Sequence, residues 1–169
     1  GMKMRLSTGY FNLTAFSQEI KDFQSNTFVS SGFILANAGL QSSEGFEFDL
    51  LFSPVPSIDI TLGGLIMDSK YDSFTGSAAG DVSGTKPENV HDDSFTSSIT
   101  WNWNRGNTDG YIRLNHLYSG PTLIRIDPAE NAAMCAAGTC EKTKDTLNFS
   151  AGITRGNLDI VIFGNNIND

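Results

Sequence analysis

Basic residues are few in this chain, histidine and cysteine are fewer, and a long apolar run is missing. Lys and Arg number 11 against 19 Asp and Glu, a net charge of -8. Binding phosphates needs a basic groove, so this balance argues against nucleic acid as a partner. No stretch of the sequence approaches the about 18 to 20 consecutive apolar residues of a helical membrane span. Any contact with a bilayer must therefore be made through strands. The opening residues Gly1 to Leu6 hold no apolar signal-peptide core. Gly1 reads as an added residue, and an export signal is expected outside this stretch. With 2 His and no nucleophile elbow, Ser97, His116 and Asp93 can be drawn as a nucleophilic set only in the way any Ser-rich chain permits. No enzyme, no cofactor and no metal site is expected. The Gly80 to Glu88 segment lacks the Gly-Lys-Ser/Thr ending of a phosphate loop.

What the chain has instead is alternation. Phe46, Phe48, Leu50 and Phe52 fall on one side, Glu47, Asp49 and Leu51 on the other. That period of two belongs to a strand with one apolar and one polar face. Pro54 and Pro56 interrupt it, and Ile58, Ile60, Leu62, Gly64 and Ile66 then resume it against Asp59, Thr61 and Gly63. Two strands joined by so short a turn are antiparallel neighbours. Further segments repeat the rhythm: Lys3 to Gln24, Thr27 to Leu40, Phe95 to Trp103, Tyr111 to Tyr118, Leu147 to Ile153 and Leu158 to Phe163. Gly32 and Ala36-Asn37-Ala38-Gly39 suggest a bulge in the second of these.

The expected fold is all-β, an antiparallel up-and-down β-barrel of about eight strands, forming one domain over residues 1–169. Its apolar barrel face consists of Phe46, Phe48, Leu50, Ile60, Leu62, Ile99, Trp101, Leu114, Phe149 and Ile160. The connections alternate in length: 53–57, 105–110 and 155–157 are tight, whereas Tyr71 to Asp92 and Pro121 to Thr143 are long. Outer-membrane barrels show this asymmetry, with short periplasmic turns and long outer loops. The first long loop, rich in Ser, Gly and Asp, reads as exposed.

Three groups carry open readings. Cys135 and Cys140, the only 2 cysteines, are a disulfide candidate if the chain reaches an oxidising compartment, and two free thiols otherwise. Asp68, Asp72, Asp81, Glu88, Asp92 and Asp93 offer oxygens to calcium, but their spacing fits no calcium loop and a solvated face suits them better. Trp101, Trp103, Tyr111 and Tyr118 suit either an aromatic girdle at a membrane interface or the core and rim of a closed soluble barrel.

The order of several segments adds a resemblance. Asn37-Ala38-Gly39 followed by Gly45 and Glu47, then Val82-Ser83-Gly84 with Pro87, then Phe163-Gly164-Asn165-Asn166 with Asp169, together resemble the C-terminal part of the barrel of TonB-dependent outer-membrane receptors. The resemblance implies an outer-membrane location and energised uptake of siderophore-type or similar nutrients through a roughly 22-stranded barrel with an N-terminal plug. It implies partners of two kinds, outer-membrane lipid and a small-molecule ligand. The plug and the last strand with its aromatic terminus are not recognisable here, so a portion not transport-competent alone is expected.

A partial wall in water exposes an apolar face and two open edges. Closure of the eight strands into a small lipocalin-like barrel, apolar face inward around an apolar ligand, is the alternative expectation. Homo-oligomerisation through the open strand edges is another.

Overall fold

The computed structural model describes residues 1–29, 32–77, 79–125, 127–139 and 141–168, with the backbone alone for 25–29, 33, 34, 36, 38, 128 and 141. Eight strands form one antiparallel sheet: β1 (Met2–Leu6), β2 (Gly9–Val29), β3 (Gly32–Val55), β4 (Ile58–Ser73), β5 (Asp93–Arg105), β6 (Thr108–Leu123), β7 (Glu141–Arg155) and β8 (Leu158–Gly164). They are paired in chain order, each with its sequence neighbour. The up-and-down topology read from the alternation is the one observed.

The partition differs in detail. Ser7 and Thr8 turn the chain between β1 and β2, so the first expected strand is two. The second and third expected strands are one continuous β3 of 24 residues. The bulge expected at 36–39 lies just after it, as a register shift between Leu40 and Gln41 against β4.

No pairing among the described residues joins β1 to β8. Among the described residues β1 pairs with β2 alone and β8 with β7 alone, so the sheet is an open arc of barrel wall. The inward turn of the apolar face that a small soluble barrel requires is likewise absent. Phe46 is 57% exposed and Trp101 50%, so this side is uncovered by protein. The reason is geometric: eight strands close around a packed interior only when tilt and shear match that number, and the alternation carries no information on either.

The long loops are more ordered than their composition suggests. The first was expected to be exposed, yet Tyr71, Phe74 and Val82 are the buried hydrophobic core of the described residues, with Phe74 and Val82 at 0% exposure. The second holds α1 (Pro128–Ala136), which the alternation did not foretell. Asp127 caps it, accepting from the amides of Ala129 at 2.7 Å and Glu130 at 3.2 Å. These bonds satisfy donors that a helix start leaves orphaned, and Glu130 in the first turn suits the dipole.

Candidate functional site

The register fixes which side chains share a face. Cross-strand partners point the same way, so the pairs Phe46↔Ile66, Phe48↔Leu13, Leu50↔Leu62 and Ile60↔Ile99 chain together with Ile99↔Leu114, Leu114↔Phe149 and Ile153↔Ile160. The ten apolar residues singled out above therefore all stand on one face, Trp101 beside Ile58 and Ile112. Along β4 the apolar band runs from Ile58 to Ile66, and along β5 from Phe95 to Trp103. Nine residues of strand tilted by about 45° cover roughly 21 Å of bilayer normal, close to the about 25 Å apolar band of outer-membrane barrels.

Aromatic rings sit at both rims of this band. Near the short turns the Trp101 and Trp103 rings are 4.9 Å apart, and towards the loops Phe95 stacks on Tyr118 at 6.2 Å. Tyr111 was grouped with them but stands on the opposite face, paired with Asn102 and Gly152. It fills the space that a Gly152 side chain would need, as the Trp103 ring does over Gly110 on the band side. A ring lying over a glycine covers backbone that would otherwise weaken the strand.

The other face is polar and internally hydrogen-bonded. Asn12 donates to Asp49 at 2.9 Å, Ser53 to Asp59 at 2.6 Å and Asn102 to Asp59 at 3.1 Å. Thr61 and Ser98 lie 2.6 Å apart, and Arg113 Nε donates to Thr100 Oγ1 at 2.9 Å. The Arg113 guanidinium also lies 5.8 Å from the centre of the Tyr111 ring.

At the loop end this polar face is covered. Phe23 approaches Tyr71 at 6.4 Å between ring centres, and Tyr71 meets Phe74 edge-on at 5.1 Å. Strict alternation from Phe11 would send Phe23 to the apolar side, but Asp22 between them has φ 54°, where the alternation breaks. β4 runs past the start of β5, and the returning loop takes the vacant place beside it. Tyr71 donates its amide to Thr85 O at 2.9 Å, Gly84 to Tyr71 O at 2.6 Å, and Met67 to Asp92 O at 2.7 Å. On the far side Asn89 donates to Leu123 O at 2.9 Å, and His91 Nδ1 lies 2.5 Å from Gly120 O.

The acidic residues weighed for calcium are dispersed: Asp72 pairs with Lys70 at 3.4 Å and Asp92 with Lys86 at 2.6 Å. Among the described residues no three His, Cys, Asp or Glu side chains converge on a possible metal position. His116 has Ser97 as its cross-strand neighbour but pairs with Asp145 at 2.7 Å, not with Asp93. Ser97 and His116 stand within the apolar band, beside an open depression lined by Ile60, Leu62, Ile99 and Leu114. Cys135 is disulfide-bonded, and Cys140 lies outside the described residues.

One ionisable group in the loop has a shifted pKa. The Ser83 hydroxyl and then the Ser83 amide hold the Asp81 carboxyl below its ordinary value, and Ser83 Oγ in turn accepts from the Phe74 amide at 2.8 Å. A depressed carboxyl contributes order above its unfolded pKa and loses it as the pH falls through the folded value. The protection of the Ser83 and Phe74 amides, taken relative to the intrinsic exchange rate at each pH, is therefore expected to be constant from neutrality down to about pH 5 and to fall below about pH 4. Asp81→Asn is expected to abolish that step.

An apolar band of transmembrane height, backed by a polar ladder and with the β1–β2, β3–β4, β5–β6 and β7–β8 turns at one end, defines a section of β-barrel wall. No helix among the described residues is long and apolar enough to cross a membrane. The family model described as TonB dependent receptor-like, beta-barrel, matches residues 1–166, and the chain belongs to that family. Its fold is similar to the ferric yersiniabactin uptake receptor FyuA from Yersinia pestis, with TM-score 0.75 and 19% identity over 99% of this chain and 23% of that one. It is also similar to BauA, the ferric preacinetobactin receptor from Acinetobacter baumannii, with TM-score 0.69 and 16% identity over 98% of this chain and 24% of that one. The chain thus spans about a quarter of the length of either receptor. No curated protein matches it.

Proposed function

We propose that residues 1–169 serve as one unit of wall in an outer-membrane receptor that takes up a ferric siderophore or a similarly scarce small nutrient. The observation that carries this reading is the sidedness of the sheet: an uncovered apolar band on one face, and on the other a polar ladder roofed by a folded loop. The apolar band meets outer-membrane lipid, and the polar face lines the lumen. The loops Phe74 to Asp92 and Ile124 to Cys140, the second stapled by a Cys135 to Cys140 disulfide, belong to the ligand-collecting surface. The β1 and β8 edges are covered by further strands of the same wall rather than by a second copy. On this reading the chain is not an enzyme, and it does not transport by itself.

The ferric siderophore class is taken from the two receptors of like fold, whose titles name ferric yersiniabactin and ferric preacinetobactin. The test is growth of an iron-starved strain lacking its own siderophore receptors. A complete receptor barrel carrying this stretch as its wall is expected to restore growth on at least one ferric siderophore, and residues 1–169 alone on none. Failure of the complete barrel across phenolate, catecholate and hydroxamate siderophores contradicts the substrate class. Rescue by residues 1–169 alone contradicts the assignment as wall.

A further inference from the structure

The apolar face carries opposite charges at its two rims. At the loop end most of the charged residues that continue the apolar face are acidic: Glu44 opposite Asp68, Asp93 beside Ile66, and Asp145 opposite Tyr118, with Lys21 and Lys70 further out. At the short-turn end they are basic. Arg105 pairs with Thr108 and Thr108 with Arg155, so the three stand side by side on β5, β6 and β7, on the face of Trp101 and Trp103. Two strand spacings separate the arginines by roughly 10 Å, with the Thr108 hydroxyl between them. Among the described residues neither Arg105 nor Arg155 pairs with a carboxylate. Both are exposed.

From this juxtaposition we propose that Arg105, Thr108 and Arg155 form a headgroup site for an anionic phospholipid of the leaflet at the short-turn side. The inference rests on the lipid-facing reading of the apolar band. Guanidinium groups present forked donors that match phosphate oxygens, and a hydroxyl between them adds a further donor. The paired Trp101 and Trp103 rings stand at the depth where the headgroup gives way to acyl chain, which aromatic rings favour at membrane interfaces. Charge complementarity selects the occupant: two unpaired cations at this rim attract an anionic lipid, while the carboxylates of the opposite rim repel one.

The chain holds 2 Trp, both on this face, so their fluorescence reports the lipid beside the site. The full chain in vesicles is titrated with phosphatidylglycerol or phosphatidylcholine brominated on the acyl chains. Each basic residue near a surface favours anionic lipid by about five-fold, so a preference of order ten-fold or more for brominated phosphatidylglycerol is expected. R105Q/R155Q is expected to bring the two lipids level, while R105K/R155K keeps most of the preference and E44Q/D68N, at the other rim, leaves it unchanged. Equal quenching by both lipids in the unmodified chain, or a preference that survives in R105Q/R155Q, overturns the site. Quenching by neither lipid overturns the lipid-facing reading itself, a separate outcome.

Discussion

Phe74→Ala is expected to undock the loop between β4 and β5 while leaving the sheet intact. Phe74 and Val82 are wholly buried against Tyr71, with Phe23 and Ala79 packed around them. Truncating a buried phenylalanine costs about 3 to 5 kcal/mol in lost burial and residual cavity. A cluster this small has little packing left to hold the loop once that ring is gone. The Tyr71, Val82 and Gly84 amides, which donate to Thr85 O, Phe74 O and Tyr71 O, are expected to lose most of their exchange protection. Protease cleavage between Thr75 and Gly84 is expected to rise at least ten-fold. The β5 and β6 amides should keep their protection, and Phe74→Leu should recover most of the docking. Unchanged protection at Val82 and Gly84 contradicts the role given to this cluster.

Leu114→Arg has the second largest expected effect and depends on the solvent. Leu114 stands mid-band between Ile99 and Phe149, and an arginine near the bilayer midplane costs a barrel about 2 to 4 kcal/mol. Asn115→Arg, one residue on, points to the polar face beside Ser98 and Asn148. It is expected to change stability by no more than about 0.5 kcal/mol. Denaturant unfolding of the two variants in lipid vesicles measures the contrast. Equal losses for both contradict the sidedness of β6.

The sequence made this sidedness legible because the alternation needs only neighbouring residues. Phe46 to Phe52 and Ile58 to Ile66 declare their faces before any partner is known, and the register then joins Ile60 to Ile99 and Leu114 to Phe149. What depended on distant contacts was hidden. Phe74 and Val82 are isolated apolar residues in a polar, aperiodic loop, and nothing in that stretch says that Phe23 and Tyr71 will receive them. Barrel closure was equally out of reach, since strand number and shear are properties of a whole wall. Other details are written plainly in the sequence. Asp127-Pro128 followed by Glu130 is a helix start by its capping chemistry, and Ser7-Thr8-Gly9 is a turn by composition. The basic rim emerges only when the register sets Arg105 and Arg155 side by side through Thr108.

The two faces of β6 meet lipid and water in strict alternation if the apolar band is the outer wall. Nitroxide labels are placed one at a time from Ile112 to Leu117 in lipid vesicles, with Cys135 and Cys140 replaced by serine, and their collisions with oxygen and with a water-soluble nickel chelate are compared. Oxygen should dominate at 112, 114 and 116 and nickel at 113, 115 and 117, a strict period of two. A flat profile, or the same alternation in the opposite phase, would contradict the claim that this apolar face looks into lipid.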